Sequence, residues 1–226
     1  SNFSPWSRIV IEWYKAQKNK LTLKSFINTT LGEAFEELEK TATEPEHLLA
    51  RREHYDAQVP DDVVYMTVGG DMQDHWSEFV VYGWGAGEEC YVIDFFEVHG
   101  DPSRPEFWDQ LEKPLRRSYK KANGEIMNWA TGVFDSAGHY TDEVYKFTKR
   151  FGVMRLFPGK GASEYGKPIA TKPKKKNGHG VYLISIGTDN AKDLISDRLC
   201  IKPAERGVPN PGFIHFPIKE WCELSF

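Results

Sequence analysis

Residues 63–71 read VVYMTVGGD, a β-branched and aromatic run that ends in two glycines and an aspartate. Runs of this kind favour β-strands, so the stretch predicts a strand that delivers Asp71 at its carboxyl end. Residues 129–135 read WATGVFD and predict a second strand of the same design, which delivers Asp135. These two predicted strands, each ending in an aspartate, are the basis for the predictions of fold and function that follow.

The hydrophobic spacing around these stretches predicts an alternation of strands and helices. Glycines at positions 85 and 87 separate two further strands, which implies an antiparallel meander. The predicted strands after the first are residues 78–84, 90–98, 129–134, 153–157 and 181–186. The predicted helices are residues 105–121, 141–150 and 190–199, the last with Asp189 as its N-cap, and residues 159–180 are expected to form a mobile hairpin or loop. The order predicts an α/β fold, a mixed sheet of five or more strands flanked by helices.

A helical arm is expected ahead of this domain. Apolar spacing after Ser4 and Pro5 predicts a helix over residues 5–18. Residues 25–31 and 34–40 are expected to continue as helix or as loop, and residues 45–53 to form a further short helix. We therefore predict a helical arm or linker over residues 1–58 and a globular domain over residues 59–226.

The composition indicates a soluble protein. Its 226 residues are 40% hydrophobic and 14% aromatic, enough for a buried core. No apolar run approaches the roughly 18 residues that span a bilayer, so no membrane segment is expected. Cys90, Cys200 and Cys222 show no paired spacing, which favours an intracellular, reduced compartment and buried, inert thiols over disulfides or a zinc site.

The charge is distributed unevenly along the chain. The net charge of −4 argues against a protein that binds nucleic acid over its whole surface. Between residues 146 and 180, however, the only acid among many basic residues is Glu164. Such a basic edge can hold DNA phosphates on one face, although lysine runs are often only solvated. The lysines expected to bind DNA are Lys160, Lys167, Lys172, Lys174, Lys175 and Lys176.

The two strand-end aspartates point to metal chemistry. In a β-β-β-α-β sheet a right-handed crossover makes the fourth strand parallel to the first, and in the RNase H arrangement the two are neighbours. Carboxylates on strands about 4.8 Å apart repel one another unless a cation lies between them. Oxygen ligands favour Mg²⁺ or Mn²⁺ over Zn²⁺, and two such ions roughly 3.5–4 Å apart can cleave a phosphodiester.

An ordinary turn-forming role is the alternative for Asp71 and Asp135. Their neighbours argue against it, because Gly69 and Gly70 before the first and residues 136–138 (SAG) after the second are small. Small side chains leave room for the close approach of a DNA backbone. The residues themselves therefore favour a metal-dependent nuclease.

A series of short motifs, taken in order, resembles the large terminase subunit of lambda-like tailed phages, in the nuclease part that follows its packaging ATPase. The motifs are SPW at 4–6, FINTTLGE at 26–33, LARREHY at 49–55, VGGD at 68–71, GWGAGEE at 83–89, FDSAG at 134–138, GKGASEYGKP at 159–168, GTDNAK at 187–192 and HFP at 215–217. The resemblance implies an RNase H-like endonuclease that cuts double-stranded phage DNA concatemers during packaging, in the cytoplasm of the bacterial host. It also implies two Mg²⁺ or Mn²⁺ ions when DNA is bound, a small terminase subunit as partner, and the capsid portal as a partner of the full-length protein.

Two departures from the family pattern matter. No G-x-x-x-x-G-K-[ST] motif occurs, so we expect no ATPase activity in this fragment. The family also carries a late helix with an Asn-Glu-Ala-x-Asp-like run that supplies a third metal carboxylate, and nothing after Phe216 matches it. We therefore expect the C-terminal catalytic helix to be absent.

Three residues are candidates to complete the catalytic site. Asp74 and Asp189 could substitute for the third carboxylate, and His139 could orient a phosphate or a water. The competing interpretations are a solvated turn residue, a helix N-cap and a surface histidine.

Three hypotheses about function follow. The first is the terminase nuclease; the second is another RNase H-like polynucleotidyl transferase, such as a resolvase or transposase core. The third is a non-catalytic module that binds DNA or the portal with an incomplete metal site. Metal-dependent nicking of a plasmid separates the first from the third.

Overall fold

A computed structural model of the chain describes residues 5–16, 23, 25–33, 45–152, 155–205 and 208–224. The chain separates into two compact units, Ser1–Thr41 and Ala42–Phe226. In the first unit, helix α1 covers Trp6–Ala16 and a π-helical turn covers Ile27–Leu31. The helix or loop predicted at residues 34–40 lies outside the described residues, and the domain boundary between residues 58 and 59 stays a prediction.

The second unit contains an eight-stranded sheet and a small hairpin. The strands are β1 (Tyr65–Met72), β2 (Trp76–Trp84), β3 (Cys90–His99), β4 (Tyr119–Lys120), β5 (Ile126–Met127), β6 (Thr131–Asp135), β7 (Leu156–Gly161), β8 (Ala170–Thr171), β9 (Ile184–Ile186) and β10 (Ile214–His215). The helices are α2 (Pro45–Ala50), α3 (Pro105–Leu115), α4 (Thr141–Thr148), α5 (Thr188–Leu199) and α6 (Glu220–Leu224).

The sheet runs in the order β10-β3-β2-β1-β6-β7-β9-β8. The first three strands form the predicted antiparallel meander, and β6, β7 and β9 continue the sheet parallel to β1. This mixed sheet flanked by helices confirms the predicted α/β, RNase H-like fold. The parallel strands place their carboxyl ends at one edge of the sheet.

An aromatic core joins one face of the sheet to α3 and α4. Phe79 of β2 packs against Phe134 of β6 with ring centroids 4.8 Å apart. Trp108 of α3 lies 5.1 Å from Phe147 of α4, and Phe147 in turn contacts Phe134 at 6.1 Å. All four side chains are buried, so the two helices cover this face of the sheet. Asp71 and Asp135, one residue after Gly70 and Phe134, point to the opposite face.

Helix α3 ends earlier than its apolar spacing predicts. It stops at Leu115, whose carbonyl accepts a hydrogen bond from the Trp129 indole N–H at 2.7 Å. The residues that follow form the β4–β5 hairpin, which turns at Gly124 with a φ of +89°. The prediction of a helix to residue 121 is therefore wrong, because a tertiary contact and a glycine turn compete with helical spacing.

The lysine-rich segment, predicted to be a mobile hairpin or loop, contains strand residues. Strand β7 extends to Gly161, so Lys160 lies on a strand, and β8 adds an antiparallel edge to β9. The Gly187 N–H donates to the carbonyls of Pro168 and Ile169 at 3.1 and 3.2 Å. Backbone pairing therefore ties this segment to the sheet.

The C-terminal part adds an edge strand that the sequence did not predict. Strand β10 pairs in parallel with β3, and His215 in β10 lies between two carboxylates. Its Nδ1 contacts Glu53, and its Nε2 contacts Glu89 Oε1 at 2.8 Å. The ring stacks on Tyr91 with centroids 4.2 Å apart. This histidine links the segment after α2 to β3 and β10.

The protonation of His215 should make the stability of the fold depend on pH. Burial acts to lower its pKa, but the hydrogen bonds and charges of Glu53 and Glu89 outweigh burial, so the pKa of His215 is raised. The stabilisation is fully present below the unfolded pKa of about 6.5 and is lost as the pH rises through the raised folded pKa. Thermal unfolding of the wild type and His215→Gln at a series of pH values measures this effect.

We expect wild type to exceed His215→Gln in stability at pH values just below 6.5, by the order of about 1.5–3 kcal/mol typical of hydrogen bonds to a charged group. The difference in stability between wild type and His215→Gln should become smaller at alkaline pH, where the folded ring loses its proton. A difference in stability that stays constant across the pH range would show that His215 has the same pKa in the folded and unfolded states, and would contradict this prediction.

Two expectations from composition can be compared with the structure. Among the described residues, no helix has the length and apolar content to cross a bilayer. Among the described residues no disulfide joins the three cysteines; Cys90 and Cys222 are buried as expected, whereas Cys200 is exposed. Burial of Cys200 was therefore a wrong prediction, since it follows the last turn of α5, whose side chains are only partly covered.

Candidate active site

Asp71 and Asp135 lie on neighbouring parallel strands, as predicted. The register that sets Gly70 opposite Phe134 brings Asp71 beside Asp135 one residue further on. Partners in a parallel register point to the same face of the sheet, since side chains alternate with a period of two along each strand. Strand β1 continues to Met72, so Asp71 is its penultimate residue rather than its last.

Backbone and side-chain donors hold both carboxylates. Asp71 Oδ1 accepts the Met72 N–H at 2.9 Å, and its Oδ2 accepts the Gln73 amide. Asp135 Oδ1 accepts the Ala137 N–H at 3.0 Å. Within the described part of the chain, Asp135 Oδ2 has no partner, so this oxygen is available to a ligand.

Glycines in the two strands serve different purposes. A side chain at Gly69 would meet no atom within 4 Å, which agrees with open space beside Asp71. A Cβ at Gly70 would lie 2.2 Å from the ring of Phe79, so this glycine makes room for the core rather than for a ligand. A Cβ at Gly132 would lie 2.5 Å from the Val68 carbonyl oxygen. Gly132 therefore permits the close approach of β6 to β1.

A third carboxylate adjoins this pair that sequence analysis missed. Glu78 of β2 lies opposite Asp71, and Glu97 of β3 lies opposite Glu78. Burial, together with the charges of Asp71 and Glu97, raises the pKa of Glu78. The signal in the sequence was that Glu78 falls on a predicted strand of the meander beside Asp71, but the register that aligns them became visible only in the sheet.

A shallow cleft opens at the carboxyl ends of β1 and β6. Its walls are residues 72–74 of the β1–β2 turn, residues 135–141 leading into α4, and Val144. Asp74 and His139 both line it, and His139 Nδ1 contacts Asp74 Oδ1 at 2.9 Å. Two of the predicted candidates are thus brought together beside Asp135.

Helix α5 crosses the sheet on the carboxylate face. A Cβ on Gly161, which shares a face with Asp135, would lie 3.4 Å from Thr188 in the first turn of α5. At the other end of the helix, Arg198 pairs with Glu88 in the turn between β2 and β3. The helix therefore passes over the strands that bear the acids.

The placement of α5 changes the assignment of its acids. Asp189 is exposed and lies within the helix, which begins at Thr188 after Gly187, so the predicted N-cap role of Asp189 is wrong. Asp193, one turn further on, is half-buried while Leu194 and Ile195 beside it are exposed. Asp193 is therefore on the side of α5 toward the sheet. The family resemblance implied that a helix with a third metal carboxylate would follow Phe216, where the structure has the short helix α6.

The six predicted DNA-binding lysines fall into two groups. Lys167 pairs with Glu164 at 2.6 Å, Lys172 lies over the rings of Phe157 and Tyr182, and Lys176 lies over Tyr182. The other group is exposed and has no partner among the described residues: Lys160, Lys174 and Lys175. Only this second group presents unengaged ammonium groups.

Comparison with known proteins identifies the family. The model of the family described as "Terminase large subunit gpA, endonuclease domain" matches residues 1–226. The chain belongs to this family. It is 40% identical over 217 residues to the terminase large subunit of Escherichia phage lambda and 37% identical over 217 residues to that of Enterobacteria phage P21. Each match covers 96% of this chain but 34% of the relative, so the chain spans about a third of their length.

Nuclease domains of this type generally depend on metal ions, and the oxygen donors of this terminase endonuclease domain suit a hard divalent cation. Asp71, Asp135 and Glu78 lie on three adjacent strands. Burial raises the pKa of Glu78, and the charges of Asp71 and Glu97 raise it further; a cation would relieve the repulsion between these charges. Among the described residues, no three acidic, histidine or cysteine side chains already converge on one point. These carboxylates could therefore bind one cation together only if side chains move, and the Gln73 amide would have to release Asp71.

Proposed function

We propose that this domain is a metal-dependent endonuclease that cuts double-stranded phage DNA concatemers during genome packaging. The observation that carries the proposal is the placement of Asp71 and Asp135 side by side at the end of adjacent parallel strands. The lambda and P21 relatives are named as terminase large subunits, which supports a role in DNA packaging. In the host cytoplasm the full-length protein would act with a small terminase subunit and the capsid portal.

In this mechanism Asp71 and Asp135 would hold two Mg²⁺ or Mn²⁺ ions when DNA is bound. Such ions would supply an activated water and stabilise the charge that develops on the leaving oxygen. Asp135 would offer its unpartnered Oδ2, and Asp71 would have to give up the Gln73 amide to bind an ion. Glu78 and Asp193 are the carboxylates we propose as additional ligands, since one adjoins Asp71 and the other lies on the helix that crosses this face. Asp189 and Asp74 are less suited, because both are exposed.

Cleavage of a supercoiled plasmid by the 226-residue chain tests the proposed function. Nicked and linear products should form with Mg²⁺ or Mn²⁺ and should disappear with a chelator. Retarded migration of the plasmid without cleavage would instead support a non-catalytic DNA-binding module. Strand joining rather than hydrolysis of labelled duplexes would support another RNase H-like polynucleotidyl transferase.

Lysines near the proposed metal site would bind the phosphates of the DNA backbone. Lys160 follows Gly159, the register partner of Asp135 on β7, and Lys174 and Lys175 lie further along the same basic segment. Lysines present point charges that suit phosphates, whereas sequence is read mainly by bidentate side chains such as arginine, asparagine and glutamine. We therefore propose that the segment binds DNA without reading its sequence.

Replacing Lys160, Lys174 and Lys175 together by Gln should weaken binding equally for cognate and random duplexes. Each lost phosphate contact should lower the slope of log K against log salt by roughly 0.9. Titrations at several salt concentrations, in a buffer with Ca²⁺ to prevent cleavage, measure the slope.

The matched control replaces Lys167, Lys172 and Lys176 by Gln. These lysines already contact Glu164 or aromatic rings, so the slope should change less. Equal slopes for the first variant and wild type would show that those lysines are merely solvated. A loss confined to cognate DNA would show that the segment reads sequence.

A further inference from the structure

An aspartate–histidine pair stands at the cleft beside the proposed metal site. Asp74 lies in the turn after β1 and His139 in the loop after β6, so each follows one of the two strands that carry Asp71 and Asp135. The Nδ1 of His139 contacts Asp74 Oδ1 at 2.9 Å. The same two strand ends therefore deliver both a carboxylate pair and a histidine held by a carboxylate.

The Asp74 contact sets which ring nitrogen of His139 is available. An ionised carboxylate only accepts hydrogen bonds, so Nδ1 carries the proton and the neutral ring presents a lone pair at Nε2. Within the described residues, Nε2 contacts no other polar group. A histidine oriented in this way by a carboxylate is suited to accept a proton.

We propose that His139 is the general base of the nuclease and that Asp74 is its positioning residue; this inference rests on the proposed function. A water oxygen forms a bond to phosphorus while one phosphorus–oxygen ester bond breaks. The proton of that water passes to Nε2, and the leaving oxygen takes a proton from solvent. Asp74 stabilises the imidazolium that forms, and release of the proton to solvent restores the base.

The exposure of the pair makes it open to clean mutagenesis. The side chains of His139 and Asp74 are 83% and 66% exposed. Even a fully charged pair at such an exposed position adds little to stability, about 0–1 kcal/mol. Substitutions at either position should therefore leave the melting temperature unchanged. Losses of activity can then be assigned to chemistry rather than to unfolding.

Single-turnover cleavage by His139→Gln should be slower by the factor that general bases contribute, roughly 10²–10⁴-fold, with the same affinity for DNA. Asp74→Asn should lose less, and the double variant should be no slower than His139→Gln, because Asp74 acts through the ring. Imidazole added to His139→Gly, next to the unhindered Gly138, should restore part of the rate. A surface ion pair without a catalytic role would show none of these effects.

A second readout does not depend on cleavage. The ¹⁵N resonances of His139 in the free protein should show a protonated Nδ1 and an unprotonated Nε2, and Asp74→Asn should shift this balance toward the other tautomer. A protonated Nε2 in the neutral wild-type ring would overturn the assignment even if the rates fell.

The matched control is His179→Gln. His179 is another exposed histidine near an aspartate, with Nδ1 3.7 Å from Asp142, but it does not line the cleft. Its variant should cut as wild type does. If Asp71→Asn is inactive while His139→Gln cuts at the wild-type rate, this inference fails and the proposed function stands. If Asp71→Asn cuts like wild type, the proposed function fails instead, and the ¹⁵N tautomer then reports on the pair alone.

Discussion

Asp71→Asn and Asp135→Asn should each abolish metal-dependent cleavage of duplex DNA and leave the fold intact. The reason is that the two carboxylates lie side by side on β1 and β6, so each variant removes one charged ligand from a shared site. A metal ion supplies several kcal/mol of transition-state stabilisation, and each 1.4 kcal/mol or so is a factor of about ten in rate. We therefore expect a loss of at least ~10³-fold in the rate of plasmid cleavage.

The thermal stability of the two variants should increase or stay unchanged, even though their cleavage activity is lost. Removing one of two neighbouring like charges relieves repulsion in the metal-free protein, so neither variant should melt earlier than wild type. Calorimetric titration with Mn²⁺ should show weaker binding in both variants, which separates a lost ligand from a lost proton acceptor. Asp61→Asn, ahead of the opposite end of β1, is the matched control and should cut normally. Wild-type cleavage by either site variant would refute the two-strand site.

The proximity of Asp71 and Asp135 could be predicted from the sequence because it depends only on strand composition and on the handedness of the crossover. The runs that end at Asp71 and Asp135 have strand composition, and the handedness of the crossover then makes their strands parallel. Glu78 needed more, because its alignment with Asp71 depends on the register of the β1–β2 hairpin. That register is set by turn geometry and by the burial of Phe79 under the helices, neither of which is visible in composition.

Side-chain pairing was the least predictable level. The sequence offered six lysines of the basic segment as DNA contacts, yet Glu164 and two aromatic rings engage three of them. Asp189 suits an N-cap by residue type, but α5 begins at Thr188 with Gly187 as its N-cap, two residues earlier than predicted; the ends of helices are often displaced in this way. For the lysines, a neighbour brought close by the tertiary fold decided the outcome.

The two glycines of the paired strands should differ sharply in their tolerance to alanine. Gly132→Ala should destabilise the domain by about 3 kcal/mol, at the upper end of the range for overpacked sites. Its Cβ would lie 2.5 Å from the Val68 carbonyl oxygen and 2.3 Å from the Val68 side chain. Since backbone cannot swing aside as a flexible side chain does, β6 must move away from β1. The midpoint of urea unfolding, followed by circular dichroism, measures the change.

Gly69→Ala is the matched variant, because its Cβ would meet no atom within 4 Å. Its stability should stay within about 0.5 kcal/mol of wild type, as for most substitutions away from a packed feature. Equal destabilisation by both alanines would show that close approach of the strands is not what requires Gly132. Cleavage then reports separately on the open space beside Asp71: a stable Gly69→Ala that no longer cuts would mean that DNA or its metal ions occupy that space. A stable Gly69→Ala that cuts normally would place the DNA backbone on the Asp135 side of the pair, toward the cleft that holds His139.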